Sequence, residues 1–283
     1  MPDKNVVITG ASTGIGKACA RHLDARGFAV FATVRRAEDA RALEAEASPR
    51  LRTLFLDVTD AASIAAAAET VAEAVGEAGV HGLVNNAGIA LAGPLEAMPL
   101  DAFRRQLEVN VTGPLAVTQA FLPLLRKARG RIVNMGSIGG ISVLPFVGAY
   151  CASKFALEAL TDALRMELAP WGIEVVVVEP GSVATPIWGK GEAYAEALLE
   201  RADPATTALY REMMEKMRRL VAETGEKGAS PGAVAAVVRR ALTARRPKTR
   251  YIVGSMARVR WALQRLFPDR LRDRLLLRRI MGA

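Results

Sequence analysis

The sequence predicts an α/β protein with a doubly wound parallel sheet of about seven strands and helices on both faces. Three observations predict it. Short runs of Val, Ile and Leu alternate with longer segments of helical periodicity. The runs are apolar at consecutive positions, as in parallel strands covered by helices on both sides. A glycine-rich turn joins the first run to the first helix. With 283 residues and 51% apolar composition, the chain can fill one large core, and the simplest count is a single domain over residues 1–255.

The elements follow in order. Val6–Thr9 reads as the first strand, Ala29–Val34 as the second and Thr53–Leu56 as the third. Leu83–Asn85, Arg131–Asn134, Val175–Val178 and Tyr251–Val253 supply the other four. Helical spacing is expected over Gly16–Arg26, Ala61–Glu77, Leu100–Leu125 and Ala149–Ala169. Residues 188–230, rich in Ala, Glu and Met, read as two or more helices inserted after the sixth strand. Residues 256–283 form a basic amphipathic extension, with Val259, Leu263 and Leu266 at helical spacing, Pro268 as an interruption, and Leu271, Leu275 and Leu276 beyond it.

Composition excludes several classes. The net charge of +9 is uneven: from Arg245 onward there are twelve basic and two acidic residues, which leaves the rest at −1. A near-neutral body argues against a nucleic-acid-binding core. No apolar run reaches the ~18 residues of a membrane span, and the N-terminus shows no signal-peptide pattern. Two cysteines, Cys19 and Cys151, imply a reducing, cytoplasmic setting without a disulfide framework. With His22 and His81 as the only histidines, no metal site is expected.

Two motifs carry chemistry. Thr9-Gly10-Ala11-Ser12-Thr13-Gly14-Ile15-Gly16 lies at the first strand–helix junction. Its glycines permit a tight turn and close backbone approach, and the helix N-terminus offers free N–H groups to a pyrophosphate. Ala18 stands where a Walker A loop needs Ser or Thr. Tyr150 and Lys154 are four residues apart on one helix face. An ammonium near a phenol favours the phenolate, so the pair is expected to lower the tyrosine pKa and exchange a proton with an alcohol or ketone.

These motifs, with Asn85-Asn86-Ala87-Gly88, Asn110, Ser137, Pro180-Gly181 and Thr185 in the same order, resemble the short-chain dehydrogenase/reductase family over about residues 5–186. The resemblance implies a Rossmann-type sheet of order 3-2-1-4-5-6-7. It implies that Tyr150 is the acid or base, that Lys154 tunes it and holds the nicotinamide ribose, that Ser137 orients the substrate oxygen, and that Asn110 holds a relay water. It further implies cofactor contacts at Gly10, Ser12, Thr13, Gly14, Ile15, Gly16, Asp57, Val58, Asn86, Ala87, Gly88, Pro180, Gly181, Val183 and Thr185. Asn85 reads equally well as a tie between strands. Cys151 reads as a packed residue.

The end of the second strand usually reads the adenosine ribose through an acid. Here Val34 occupies that position and Arg35 follows, which favours the 2′-phosphate of NADP(H). Arg36 reads as a solvated charge. The segment from Trp188 to Ser230 corresponds to a substrate lid, and Ile187, Trp188, Tyr194, Leu198, Leu199, Leu209, Tyr210, Met213, Met214 and Met217 give it an apolar stock. With Leu144–Val147 as another wall, a steroid-, retinoid- or fatty-like ketone or alcohol is expected. Lid and tail resemble, more loosely, the hydroxysteroid and retinol dehydrogenase branch. The alternatives are a 3-oxoacyl thioester reductase, disfavoured by the long lid and extension, and an NADPH-binding sensor or scaffold, disfavoured by the intact Ser137, Tyr150 and Lys154. The resemblance implies a dimer or tetramer. The tail has three readings: a closing helix, a peripheral anchor on an anionic membrane, or an element that binds an acidic partner or completes the oligomer.

Overall fold

Residues 4–201, 203–226 and 228–281 are described by a computed structural model of the chain. Seven parallel strands form one sheet: β1 (Asn5–Ile8), β2 (Ala29–Val34), β3 (Leu51–Phe55), β4 (Gly82–Asn85), β5 (Arg131–Met135), β6 (Glu174–Pro180) and β7 (Arg250–Val253), in the order β3-β2-β1-β4-β5-β6-β7. The order reverses between β1 and β4, whose C-terminal ends therefore flank a crevice, the usual ligand position in open α/β sheets.

Consecutive apolar residues feed two cores. In β1, Val6 and Ile8 face one cluster and Val7 the other; in β6, Val176 and Val178 face the first and Val175 the second. The first core is closed by α1 (Gly14–Asp24), α2 (Ala37–Glu44) and α9 (Pro231–Thr243), through Cys19, Leu23, Leu43 and Val238. The second is closed mainly by α3 (Ala61–Val75) and α5 (Gly113–Ala128), through Ile64, Val71 and the fully buried Phe121. Local signals set the helix starts: Asp60 caps α3 by accepting from the Ala62 N–H, and Ser230 caps α9 ahead of Pro231. The short α2, which buries only Ala40 and Leu43, was not expected from the sequence.

The long helix expected over Leu100–Leu125 is broken. α4 (Leu100–Leu107) gives way to one π-helical turn, Glu108–Thr112, before α5 begins. Pro114 explains the break, since it has no N–H for the carbonyl of Asn110 four residues earlier, and its ring would clash there.

After β6, α7 (Ile187–Arg201) and α8 (Pro204–Glu226) occupy the expected lid segment, and α10 (Ser255–Leu266) and α11 (Asp269–Met281) the tail. The tail packs back on the body. Ala257 is buried against Gly181, and the Arg260 guanidinium donates to the Ser142 carbonyl at 2.9 Å and to Ser142 Oγ at 3.0 Å. Lys216 Nζ on α8 donates to the Met281 carbonyl at 3.1 Å, so α11 lies against α8. Met256, Val259, Leu263 and Leu266 remain exposed on α10.

Candidate active site

The site lies at the C-terminal ends of β4 and β5. Beyond β5, Ser137 caps a 3₁₀ turn (Ile138–Gly140), with its Oγ accepting from the Gly139 N–H at 3.0 Å. Across it runs α6 (Gly148–Leu168), which carries Tyr150 and Lys154 one turn apart. The Tyr150 phenol hydrogen-bonds Ser137. Lys154 Nζ donates to the Met135 carbonyl at 2.7 Å and stands 5.7 Å from the centre of the Tyr150 ring. Ser137, Tyr150 and Lys154 are all buried, so their electrostatics act in a weakly screening medium.

Burial decides the titration of both basic groups. It pushes the Tyr150 phenol up to about 12, against the Ser137 hydrogen bond and with a smaller contribution from Cys151. This reverses the direction expected of a Tyr/Lys pair, because desolvation is the largest influence on the phenol. Burial likewise pushes Lys154 down to about 8, with the charge of Glu158 opposing. At neutral pH Tyr150 is thus a phenol with a proton to give.

Asn110 sits on the π-helical turn, buried, with every side-chain donor committed. Its Nδ2 donates to the Ile89 carbonyl at 2.9 Å and to Ser153 Oγ at 3.0 Å, and its Oδ1 accepts from the Ile89 N–H at 2.9 Å. The residue braces the chain beyond β4 against α6. Ser153 Oγ in turn donates to the Tyr150 carbonyl at 2.6 Å.

The glycine turn fits a dinucleotide. Gly10 has φ +66°, and a Cβ there would lie 2.8 Å from the Ala87 Cα. At Gly16 a Cβ would strike the Gly10 carbonyl at 2.2 Å, so this glycine seats the helix on its own turn rather than on the sheet. The α1 N-terminus has no side-chain cap at Thr13 and no acid in its first turn, which leaves its N–H groups for an anion. Asn86 spends its Nδ2 on the carbonyls of Thr9 and Gly10, both at 3.0 Å, and so holds the turn as a brace. Across the crevice, Thr185 faces Gly14, the buried Val183 bridges to Ala229, and Gly181 follows Pro180 at the end of β6. Arg35 follows β2, exposed, in a single 3.7 Å contact with Asp57, whereas Arg36 is fixed by Asp39 and Glu38. Asp57 Oδ1 accepts from the Thr59 N–H and hydroxyl, and Val58 is buried beside Gly113.

The short-chain dehydrogenase family model matches residues 4–195, which span this turn, Asn110, Ser137, Tyr150, Lys154 and Thr185. The chain belongs to the short-chain dehydrogenase family. It is 37% identical over 274 residues to an NADPH-dependent 3-dehydrocapnine reductase of Ornithobacterium rhinotracheale, covering 95% of this chain and 94% of that protein. It is 40% identical over 282 residues to mouse retinol dehydrogenase 5, covering 97% of this chain and 88% of that one. Among solved structures, a short-chain dehydrogenase from Streptomyces avermitilis superposes with a TM-score of 0.80 at 33% identity, covering 100% of this chain and 98% of that one. As a member of this family the chain is an oxidoreductase, and its relatives place it near the retinol dehydrogenases.

Within this short-chain dehydrogenase, the walls around Tyr150 are apolar. Tyr150, Cys151 and Ala90 form a small buried cluster, with Val147 and the lid residue Ile187 packed on it. Leu198 on α7 is buried against Met98 and Ala149 of the body, Met214 and Met217 are buried on α8, Leu209 faces outward, and the Trp188 side chain lies outside the described residues. Phe146 adopts a left-handed φ of +64°, held where its carbonyl accepts from the Gly93 N–H at 2.7 Å and its ring meets Tyr210 edge-on at 6.1 Å. Tyr210 donates to Glu96 at 2.5 Å, so the wall before α6 and the lid are tied together.

One supporting residue, Gln106, escaped the sequence reading, whereas Asn85 and Cys151 figured in it. Gln106 is fully buried and clamps the chain beyond β4, donating to the Ile89 carbonyl and accepting from the Leu91 N–H, both at 2.8 Å. Its signal was a polar residue one turn before Asn110 on the inward face. Asn85 ties strands: its Nδ2 reaches Asn134 Oδ1 at 2.9 Å and Thr118 Oγ1 at 3.0 Å. Cys151 is buried, and burial raises its thiol pKa, which leaves it inert at neutral pH.

Proposed function

We propose that the chain is an NADP(H)-dependent reductase that converts a lipophilic ketone or aldehyde to an alcohol, with reduction as the favoured direction. The observation that carries this reading is the buried Tyr150 phenol, hydrogen-bonded to Ser137 and with Lys154 Nζ 5.7 Å from its ring centre. Ser137 orients the substrate oxygen, and Tyr150 delivers its proton there as negative charge develops. Lys154 stands behind the phenol and stabilises the phenolate left by that transfer. The hydride comes from the nicotinamide of NADP(H) when it is bound. The α1 N-terminus, Arg35, Asp57, Val58, Ala87, Gly88 and the segment from Pro180 to Thr185 hold that cofactor. Arg35, weakly engaged by Asp57, is free to pair with a 2′-phosphate, and the likeness to an NADPH-dependent reductase supports the same choice. The Asn110 side chain is committed, so a relay water would be held by its main-chain carbonyl, which Pro114 leaves without an α-helical donor.

The apolar cluster around Tyr150 and the likeness to retinol dehydrogenases support a lipophilic substrate. The test is NADPH oxidation against ketosteroids, retinal, long-chain ketones and aldehydes, and acetoacetyl thioesters. Turnover of the first three classes supports the reading, and a clear preference for the thioester replaces it.

In the same reading, residues 1–255 carry catalysis, the lid closes over it, and the chain forms a homo-oligomer. The exposed Met256, Val259, Leu263 and Leu266, interleaved with arginines, support peripheral attachment to an anionic membrane. Because Ala257 and Arg260 pack on the body, the test is liposome flotation of a Leu263→Ser, Leu266→Ser variant rather than a truncation. Flotation equal to the unchanged chain removes the membrane reading.

A further inference from the structure

Tyr150, Lys154, Glu158 and Asp162 form one stripe along α6, each a turn from the next. The stripe runs from the site into a buried charge cluster that the mechanism above does not use. Glu158 is 8% exposed, and Glu179 on β6 is 0% exposed. Arg250 from β7 reaches Glu158 Oε2 at 3.2 Å, Asp162 Oδ2 at 2.7 Å and Glu179 Oε1 only at 3.8 Å. The Glu158 and Glu179 carboxyls meet each other. With both ionised, Glu158 Oε1 and both Glu179 oxygens lack any hydrogen-bond donor. One proton between the two side chains joins an oxygen of each in a hydrogen bond and removes a buried like-charge repulsion.

We propose that Glu158 is a positioning residue for the Tyr150–Lys154 couple. It shares one proton with Glu179, and its carboxylate is the buried counter-charge that keeps the Lys154 amine an ammonium. The proposal rests on the reductase reading. Glu179 is the member that keeps the proton, because it is fully buried and only distantly paired; burial and the adjacent Glu158 push it up to about 8. Glu158 remains the anion, in contact with Arg250. The other charged groups facing the pair are Asp162 and Arg165 on α6, tied to each other at 2.7 Å, and Arg265 on α10, whose charge acts on Glu179. The loop over the pair adds no charge: Cβ atoms at Gly136 and Gly140 would lie 2.9 Å from Glu158 Oε1 and 3.2 Å from its Cγ. Glu158 is therefore the acid that opposes the desolvation of Lys154.

The sign of the effect follows. Burial alone drives Lys154 toward the neutral amine, and the Glu158 carboxylate resists it. In Glu158→Gln the ammonium is lost at lower pH, and the alkaline limb of kcat for carbonyl reduction moves down by about one pH unit. Glu179→Gln replaces a neutral acid by a neutral amide that still donates to Glu158, so the limb keeps its position whatever the rate. Infrared spectra of the full chain at pH 7 provide a readout independent of turnover: a protonated-carboxyl band is present, and Glu179→Gln loses it. A lowered kcat in Glu158→Gln with the limb in place overturns the proposal, as does an equal limb shift in both variants. Absence of the infrared band overturns it even if Glu158→Gln does not fold. If the unchanged chain reduces none of the carbonyl compounds at the expense of NADPH, the reductase reading fails instead, and the band still reports on the pair.

Discussion

Replacing Arg35 by alanine removes a guanidinium that is two-thirds exposed and held by one 3.7 Å contact to a carboxylate that is itself 40% exposed. A pair so solvated and so long contributes at most about 1 kcal/mol, so exchanging Asp57 for a phosphate dianion costs Arg35 little. Hydrogen bonds to a charged partner contribute about 1.5–3 kcal/mol each, and solvent exposure puts Arg35 at the low end of that range. At about 1.4 kcal/mol per decade, Arg35→Ala raises KM for NADPH by about tenfold. KM for NADH, which lacks the 2′-phosphate, stays within about twofold, since no remaining contact changes. Steady-state kinetics with both cofactors at fixed carbonyl substrate give the ratio. The screened contact also predicts that the NADPH penalty shrinks as salt rises. An equal loss for both cofactors would mean that Arg35 supports the fold of the turn, and unchanged KM values would mean that the phosphate is read elsewhere.

Other changes report on the frame. Gly10→Ala places a Cβ 2.8 Å from the Ala87 Cα at a φ of +66°, so it weakens both cofactors alike, which fluorescence titration reads as parallel losses in Kd. Phe121→Ala opens the second core and costs about 3–5 kcal/mol; thermal unfolding shows Tm lower by about 10 °C, with KM for NADPH unchanged.

The seven strands were legible because parallel strands buried on both faces cannot alternate polar and apolar residues. The glycine turn and the Tyr150/Lys154 pair were legible because local chain geometry sets their spacing. One feature escaped despite a local signal, and the others depended on contacts distant in sequence. The break at Asn110 rests on Pro114, a local signal read past because the surrounding periodicity stays helical. The upward shift of Tyr150 is the work of Ala90, Val147 and Ile187, brought together by three separate segments. Glu158, Glu179 and Arg250 meet only because β6 and β7 lie side by side beneath α6. The tail's three readings could not be separated by its sequence, because the contact that docks it, Arg260 on Ser142, joins residues 118 positions apart.

The central claim is that the Tyr150 proton, delivered at the oxygen that Ser137 orients, makes the reduction possible. Single-turnover reduction by Tyr150→Phe with bound NADPH tests it most directly. The variant should bind NADPH with an unchanged Kd while the chemical step slows by about 10²–10⁴-fold. A rate within a few-fold of the unchanged chain, at equal NADPH occupancy, would contradict the account.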